Sequence, residues 1–388
     1  MSPLRRCLMV TGEYPPMQGG VADFSQILAE HLQALCLEMH ILTSSEAASS
    51  THQVDVHPVM GHWGWRELYG QTAALIAQLR PDVVNIQYQA AAFGLHPAVN
   101  ALPLRFRQMP MVATFHDLRV PYLFPKAGPL RQQAVWLLAR RSRAVIATNA
   151  EDVAALKKQR RMPPIHEIPI GSNVTCRLPD GFDRAQWRAT WGLPRAGLVL
   201  CYFGFLNATK GGEDLVRCLA YLVRGGIDAH LLMVGGAVGA SDPANEAYLA
   251  SVLTLITELG LQARVHWTDY LSDSEVSAAF GLSDICVLPY RDGVSLRRGS
   301  LMAALAHGLP IISTEPTSPI SCLRDGETIR LVPAGNAMAL SRAAEALWRD
   351  PETRARLSVS AKALSERFSW SQIAEQTLEV LHAAARSA

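Results

Sequence analysis

Short apolar runs rich in β-branched residues alternate along the chain with longer segments of helical period. Cys7 to Val10 is the first run. A glycine-rich loop carrying Gly19 and Gly20 follows, then a segment from about Val21 to Leu35 whose apolar positions recur at helical spacing. Met39 to Thr43, Val83 to Gln87, Met111 to Phe115 and Ala144 to Thr148 repeat the strand pattern, while Leu68 to Leu79 and Leu130 to Arg140 repeat the helical one. Strands that are apolar on both sides and separated by amphipathic helices predict a parallel sheet covered on both faces. Pro163, Pro164, Pro169, Gly171 and Pro179 then crowd a stretch of weak period, which predicts an interdomain linker. A second alternation begins around Trp187 to Leu193. Its strands are expected at Leu198 to Phe203, His230 to Val234, Val265 to Trp267, Ile285 to Leu288 and Ile311 to Thr314, with helices such as Glu246 to Leu259 and Glu275 to Phe280 between them. Two helices, roughly Pro351 to Phe368 and Ser371 to Ala384, close the chain.

Length and composition sharpen this picture. A chain of 388 residues favours two domains over one, and 49% hydrophobic with 18% charged residues is the composition of a well-packed protein rather than a disordered one. A net charge of +2 is too balanced for a nucleic-acid protein. The seven cysteines form no Cys-x-x-Cys pair, and several sit in strand-like runs (Cys201, Cys286), so free buried thiols in a reducing compartment are expected. The run after the N-terminus is too short for a secretory signal, and no stretch approaches the ~20 apolar residues that cross a bilayer. The cytoplasm is the expected location. Arg140, Arg141 and Arg143, with Lys157, Lys158, Arg160 and Arg161, are expected as solvated faces, or as a basic face for peripheral contact with an anionic membrane.

Ligands of doubly wound sheets bind beyond the carboxyl ends of the strands, so the candidate chemistry lies in the loops there. The most informative loop runs from Asp292 to the strand at Ile311. Arg297 and Arg298 lead into Gly299 and Ser300 and an apolar helical run. A glycine-serine step at a helix start offers backbone N–H groups and the positive end of the helix dipole, and arginines add permanent charge, which together suit a diphosphate. The alternative is that Ser300 only caps the helix and the arginines face solvent. Gly19 and Gly20 leave room for a ligand at a helix start, or simply turn the chain. His116, at the end of a strand beside Asp117, suits hydrogen bonding to a hydroxyl, or a purely structural place. Gly204 follows a strand directly, and Lys210 stands before a helix where an ammonium can meet a phosphate. Gly235 and Gly236 form a second glycine loop at a strand end. No Gly-x-Gly-x-x-Gly fingerprint, P-loop, nucleophile elbow or metal-ligand spacing is present.

Taken in order, these pieces resemble the GT-B glycosyltransferases of the retaining family four type over nearly the whole chain. The resemblance rests on Gly19-Gly20, the strand end at His116, Phe203-Gly204 with Lys210-Gly211, Trp267 to Asp273 with Ser283 to Pro289, Ala306 to Pro310, and the closing Phe368-Ser-Trp370. It implies two facing Rossmann-like domains. The acceptor-side domain would span residues 1–178 plus a C-terminal helix, 370–388, that crosses back to it, and the donor-binding domain residues 188–368. It implies transfer of a hexosyl group from a nucleotide-diphosphate sugar to a hydroxyl acceptor with retention, no cofactor and no required metal. His116, Lys210 and Arg298 would be catalytic. Gly19, Gly20, Gly204, Lys210, Gly235, Gly236, Arg297, Arg298, Gly299 and Ser300 would bind the donor. The chain departs from the family in two places. The family's pair of glutamates is replaced by Ser295 and Ala303, and its donor-loop arginine by Phe205. The losses at Ser295 and Ala303 keep open the reading of a degenerate sugar-nucleotide-binding protein, and a similar two-lobed scaffold also leaves open a sugar-nucleotide epimerase.

Overall fold

The computed structural model describes residues 4–17, 19–47, 54–118, 130–235 and 243–386. The chain divides into two compact units, Met1–Asn173 with Ser369–Ala388, and Val174–Phe368.

The first unit alternates β1 (Arg6–Thr11), α1 (Gly20–Ala34), β2 (Glu38–Ser44), β3 (Asp55–Met60), α2 (Trp65–Leu79), β4 (Val83–Tyr88), the short α3 (Leu102–Arg105), β5 (Met111–Phe115), α4 (Leu130–Arg141), β6 (Ala144–Ala147), α5 (Ala150–Lys157) and β7 (Ile165–Glu167). Its seven strands lie in the order β3-β2-β1-β4-β5-β6-β7, all parallel. Alternation along β1 splits its side chains between two cores. Leu8 and Val10 pack with Leu68 and Leu75 of α2 and Val135 and Leu138 of α4. Cys7 and Met9 pack with Phe24, Leu28 and Leu32 of α1 and with residues of the last helix. A sheet buried on both faces in this way needs strands apolar on both sides, as β1 is; β4 is buried throughout but carries Asn85 and Gln87 on one face, where they bond to each other and to Thr114.

The second unit contains α6 (Arg184–Thr190), β8 (Leu198–Phe203), α7 (Gly212–Arg224), β9 (Ala229–Val234), α8 (Pro243–Glu258), β10 (Val265–Trp267), α9 (Asp273–Leu282), β11 (Ile285–Leu288), α10 (Gly299–Ala306), β12 (Ile311–Thr314), β13 (Arg330–Val332), α11 (Ala337–Arg349) and α12 (Pro351–Ser365). Its strand order is β10-β9-β8-β11-β12-β13, again all parallel. The last helix, α13 (Trp370–Arg386), returns to the first unit. Trp370 fixes it there: the indole N–H donates to the Ser172 carbonyl at 2.7 Å, and the ring lies 5.1 Å from that of Phe24.

The proline-rich stretch expected as a linker is partly structural. β7 lies inside it and pairs with β6 as the edge of the first sheet, and the chain leaves the first unit after Asn173.

Candidate active site

In each sheet the strand order reverses direction at one point, between β1 and β4 in the first unit and between β8 and β11 in the second. Diverging helices leave a crevice at the carboxyl ends of such strand pairs.

In the second unit, β8 ends at Phe203 and Gly204 takes φ 110°, a left-handed conformation that favours glycine. Its N–H still donates to the Val234 carbonyl at 3.1 Å, so the ends of β8 and β9 stay paired. Gly235 takes φ 99° and donates to Thr268 Oγ1 at 3.1 Å. A methyl group at Gly204 would stand 3.5 Å from Lys210 Nζ and 3.9 Å from Ser300 Cβ. The glycine, the ammonium and the start of α10 therefore converge on one space. Gly236 lies outside the described residues.

Lys210 ends a 3-10 turn (Ala208–Lys210) that Asn207 shapes by accepting from the Thr209 N–H at 3.1 Å and hydroxyl at 2.8 Å. Gly211 follows at φ 70°, and a side chain there would collide with the Pro289 carbonyl oxygen. Arg291 stitches the two loops together: its N–H donates to the Thr209 carbonyl, and its guanidinium to Asp214 and Glu213 at 2.9 Å each. The Lys210 ammonium has no hydrogen bond or ion pair among the described residues. Burial, and then the charge of Arg298, lower its pKa to about 8.

The structure corrects the expectation of twin available arginines. The Arg298 guanidinium holds both Asp292 carboxylate oxygens, at 2.5 and 2.6 Å, and lies 4.7 Å from the centre of the Tyr290 ring. Its charge is largely met by Asp292, which the sequence reading did not pair with it. Arg297 turns back on its own loop, its N–H and Nε donating to Ser295 Oγ at 3.2 and 3.4 Å. Ser300 is not the cap either. Arg298 occupies the N-cap position without a side-chain bond, and Ser300 lies in the first turn with its hydroxyl 2.6 Å from the Tyr290 phenol. The N–H groups of Gly299 and Ser300 have no acceptor among the described residues, and a methyl group at Gly299 would meet nothing within 4 Å. Open N–H groups at a helix start, with an ammonium beside them that has no partner among the described residues, are the kind of groups that suit an anion.

Of the positions where the family carries glutamates, Ser295 is the acceptor for Arg297, and Ala303 is fully buried. The Ala303 carbonyl lies 2.7 Å from His307 Nδ1. Phe205 is partly exposed.

In the first unit, His116 stands just past β5 with its Nε2 2.8 Å from Gln87 Oε1. The Gln87 amide donates onward to Asn85, whose own amide donates to Thr114 Oγ1 at 3.1 Å. Because the Gln87 nitrogen is used, its oxygen accepts, and His116 carries its proton on Nε2. That leaves Nδ1 as an acceptor. Burial lowers the imidazole pKa to about 4, so the ring is neutral near pH 7. Phe24 of α1 packs edge-on against it at 4.7 Å. Gly19 and Gly20 form the start of α1: Gly19 is extended at φ 178°, and a methyl at Gly20 would meet nothing within 4 Å. Sequence reasoning passed over Glu13, whose carboxylate fills the space beside Gly19. Its signal was an acid two residues past the first strand, inside the same glycine-rich loop.

Two family models match the chain in succession, glycosyltransferase family 4 over residues 18–175 and glycosyl transferases group 1 over residues 183–364. A D-inositol 3-phosphate glycosyltransferase of Arthrobacter sp. (strain FB24) is 25% identical, with 99% of this chain and 96% of that protein covered. Sucrose-phosphate synthase from Thermosynechococcus elongatus superposes with a TM-score of 0.79 at 19% identity, covering 99% of this chain and 100% of that one. The Anabaena protein HepE, solved in complex with UDP, gives a TM-score of 0.77 at 19% identity over 97% and 99% of the two chains.

Proposed function

The chain belongs to the GT-B glycosyltransferases of family four, and from that premise we propose that it moves a hexosyl group from a nucleotide-diphosphate sugar to a hydroxyl acceptor with retention of configuration. The second unit takes the donor and the first takes the acceptor. One observation carries the assignment. The start of α10 at Ser300 and the Lys210 ammonium, which has no partner among the described residues, converge beside Gly204, at the carboxyl ends of the strands flanking the switch point.

The bond from the anomeric carbon to the diphosphate oxygen breaks as a bond from the acceptor oxygen forms. The acceptor proton leaves on a phosphate oxygen, and the departing diphosphate gains negative charge. Lys210 and the start of α10 stabilise that charge, and Arg298, held by Asp292 and Tyr290, adds a fixed positive edge. The Gly204 and Gly235 backbones let the diphosphate approach closely. Neutral His116 offers Nδ1 to a sugar hydroxyl. The relative's printed substrate, an inositol phosphate, makes a cyclitol or sugar the favoured acceptor class. No helix among the described residues is long and apolar enough to cross a membrane. The exposed Arg141, Arg143, Lys157, Lys158, Arg160 and Arg161 have no ion pair among the described residues and suit peripheral contact with anionic lipid.

A thermal-shift screen against UDP-, GDP- and ADP-sugars tests donor binding, because a ligand of the folded state raises Tm by mass action. Lys210→Ala is expected to lower kcat by about a hundredfold or more, the usual loss for one aimed charge at a leaving group, without lowering Tm. Unchanged turnover in that variant would remove this site from the reaction.

A further inference from the structure

Among the described residues, nothing gives the Glu13 side chain of the first unit a structural partner. It follows β1 by two positions, at the carboxyl end of a strand that flanks the switch point. Its backbone is fixed, because the Thr11 hydroxyl donates to the Glu13 carbonyl at 2.9 Å. The chain also makes room for its side chain. A methyl group on Gly19 would collide with Glu13 Oε2, so Gly19 serves here to let that carboxylate stand at the start of α1. Once there, the carboxylate makes no hydrogen bond or ion pair among the described residues.

The ordinary structural role would be to complement the helix start. A carboxylate in that role accepts a first-turn N–H, and its charged form is favoured. Glu13 accepts none. Burial, and then the charge of Asp23, raise its pKa instead. A half-buried acid left unpaired costs stability, and such costs concentrate where a group meets a ligand. One position further along, a methyl on Gly20 would meet nothing within 4 Å among the described residues. His116 stands at the same end of the sheet, past β5.

We propose that Glu13 is an acceptor-binding residue whose carboxylate takes hydrogen bonds from two neighbouring hydroxyls on an uncharged edge of a sugar or cyclitol ring. This rests on the reading of the first unit as the acceptor side. The two carboxylate oxygens can each accept an O–H, and a charged acceptor makes such bonds short and strong. The same charge repels phosphate. A phosphorylated acceptor would therefore present its hydroxyl edge here and keep its phosphate away.

The test compares the whole protein with Glu13→Gln, which keeps shape and removes charge. UDP-glucose and GDP-mannose serve as donors, methyl α-D-mannopyranoside and D-inositol 3-phosphate as acceptors, with donor hydrolysis followed in parallel. Glu13→Gln is expected to raise the acceptor KM by about tenfold, the equivalent of one good hydrogen bond, while donor KM and hydrolysis change by less than about twofold. Its Tm is expected to stay level or rise. An unchanged acceptor KM overturns the proposal. So does a lowered Tm, which would make the carboxylate structural. If the wild type uses neither acceptor but hydrolyses donor, Tm alone decides, a rise upholding the proposal and a fall overturning it. If the wild type consumes neither donor at all, glycosyl transfer from these donors is contradicted, and the assignment of Glu13 falls with it.

Discussion

At the scale of single residues, the two groups with the largest consequences for pH behaviour are Lys210 and His116. Lys210 is useful while charged, and its pKa of about 8 places deprotonation just above neutrality. Turnover is expected to fall as pH rises through about 8, with a single-proton limb, and Lys210→Arg should move that limb to higher pH because a guanidinium stays protonated. A kcat/KM profile checks this, and a limb identical in both proteins would place the titration elsewhere. The effect on stability has the opposite direction. The folded pKa lies below the ordinary 10.5, so the unfolded chain binds more protons between about 8 and 10.5, and stability contributed by this residue rises with pH across that window. His116 behaves likewise at acid pH. With a folded pKa of about 4 against an ordinary 6.5, it withdraws stability as pH falls from 6.5 toward 4. Urea unfolding of His116→Gln should show a shallower loss over that range.

At the scale of elements, the donor loop is held by close packing rather than by regular structure. Gly211 joins the 3-10 turn to α7 at φ 70°, against the Pro289 carbonyl. Gly211→Ala costs roughly 1–3 kcal/mol for the backbone conformation alone, before the collision is relieved by parting the two loops. The expected result is a lower Tm and a donor KM raised along with it. Gly20→Ala, facing open space, should leave Tm nearly unchanged, so that any loss of turnover reports on ligand access. These elements also show what the sequence discloses. The central strands β1, β5, β8 and β11 were legible because burial on both faces demands nearly continuous apolar runs, and β4 and β9 because apolar residues dominate them despite Asn85, Gln87 and His230. β3, β7 and β13 were not legible. All three are edge strands, and β3 alternates polar with apolar and contains Pro58, while β7 and β13 have three residues each. An edge strand is defined by the neighbour it pairs with more than by its own composition. The site divides in the same way. Gly204, Lys210, Gly299 and Ser300 could be found because glycine and charge at strand ends carry local meaning. That Asp292 answers Arg298, and that Glu13 answers nothing among the described residues, depends on contacts the spacing alone does not encode.

At the scale of the whole molecule, the two units are unequal in how the chain builds them. The second is one continuous segment, whereas the first is completed only by α13, the last element made. Ile373, Val380 and Leu381 of that helix are almost fully buried in the core formed by Cys7, Met9, Phe24 and Leu28. Burying three large aliphatic side chains contributes roughly 5–9 kcal/mol at about 1.5–3 each. That is comparable to the whole stability of an ordinary domain, about 5–15 kcal/mol. Trp370 adds a partly buried ring and the bond to Ser172, which is itself near the exit from the first unit. A chain ending at Phe368 should therefore lose the first unit and keep the second, although the deleted residues are the most distant in sequence from β1. Hydrogen exchange read by mass spectrometry distinguishes the cases: amides of β1, β2, β4 and β5 should lose protection while those of β8, β9 and β11 retain it. Retained protection throughout would mean that α1 and the sheet hold that face without their last helix. Loss in the second unit instead would mean that α13 stabilises more than the unit it belongs to. The truncated chain should also still respond to a nucleotide-diphosphate sugar through the transition of its second unit, since Gly204, Lys210 and the start of α10 all lie there.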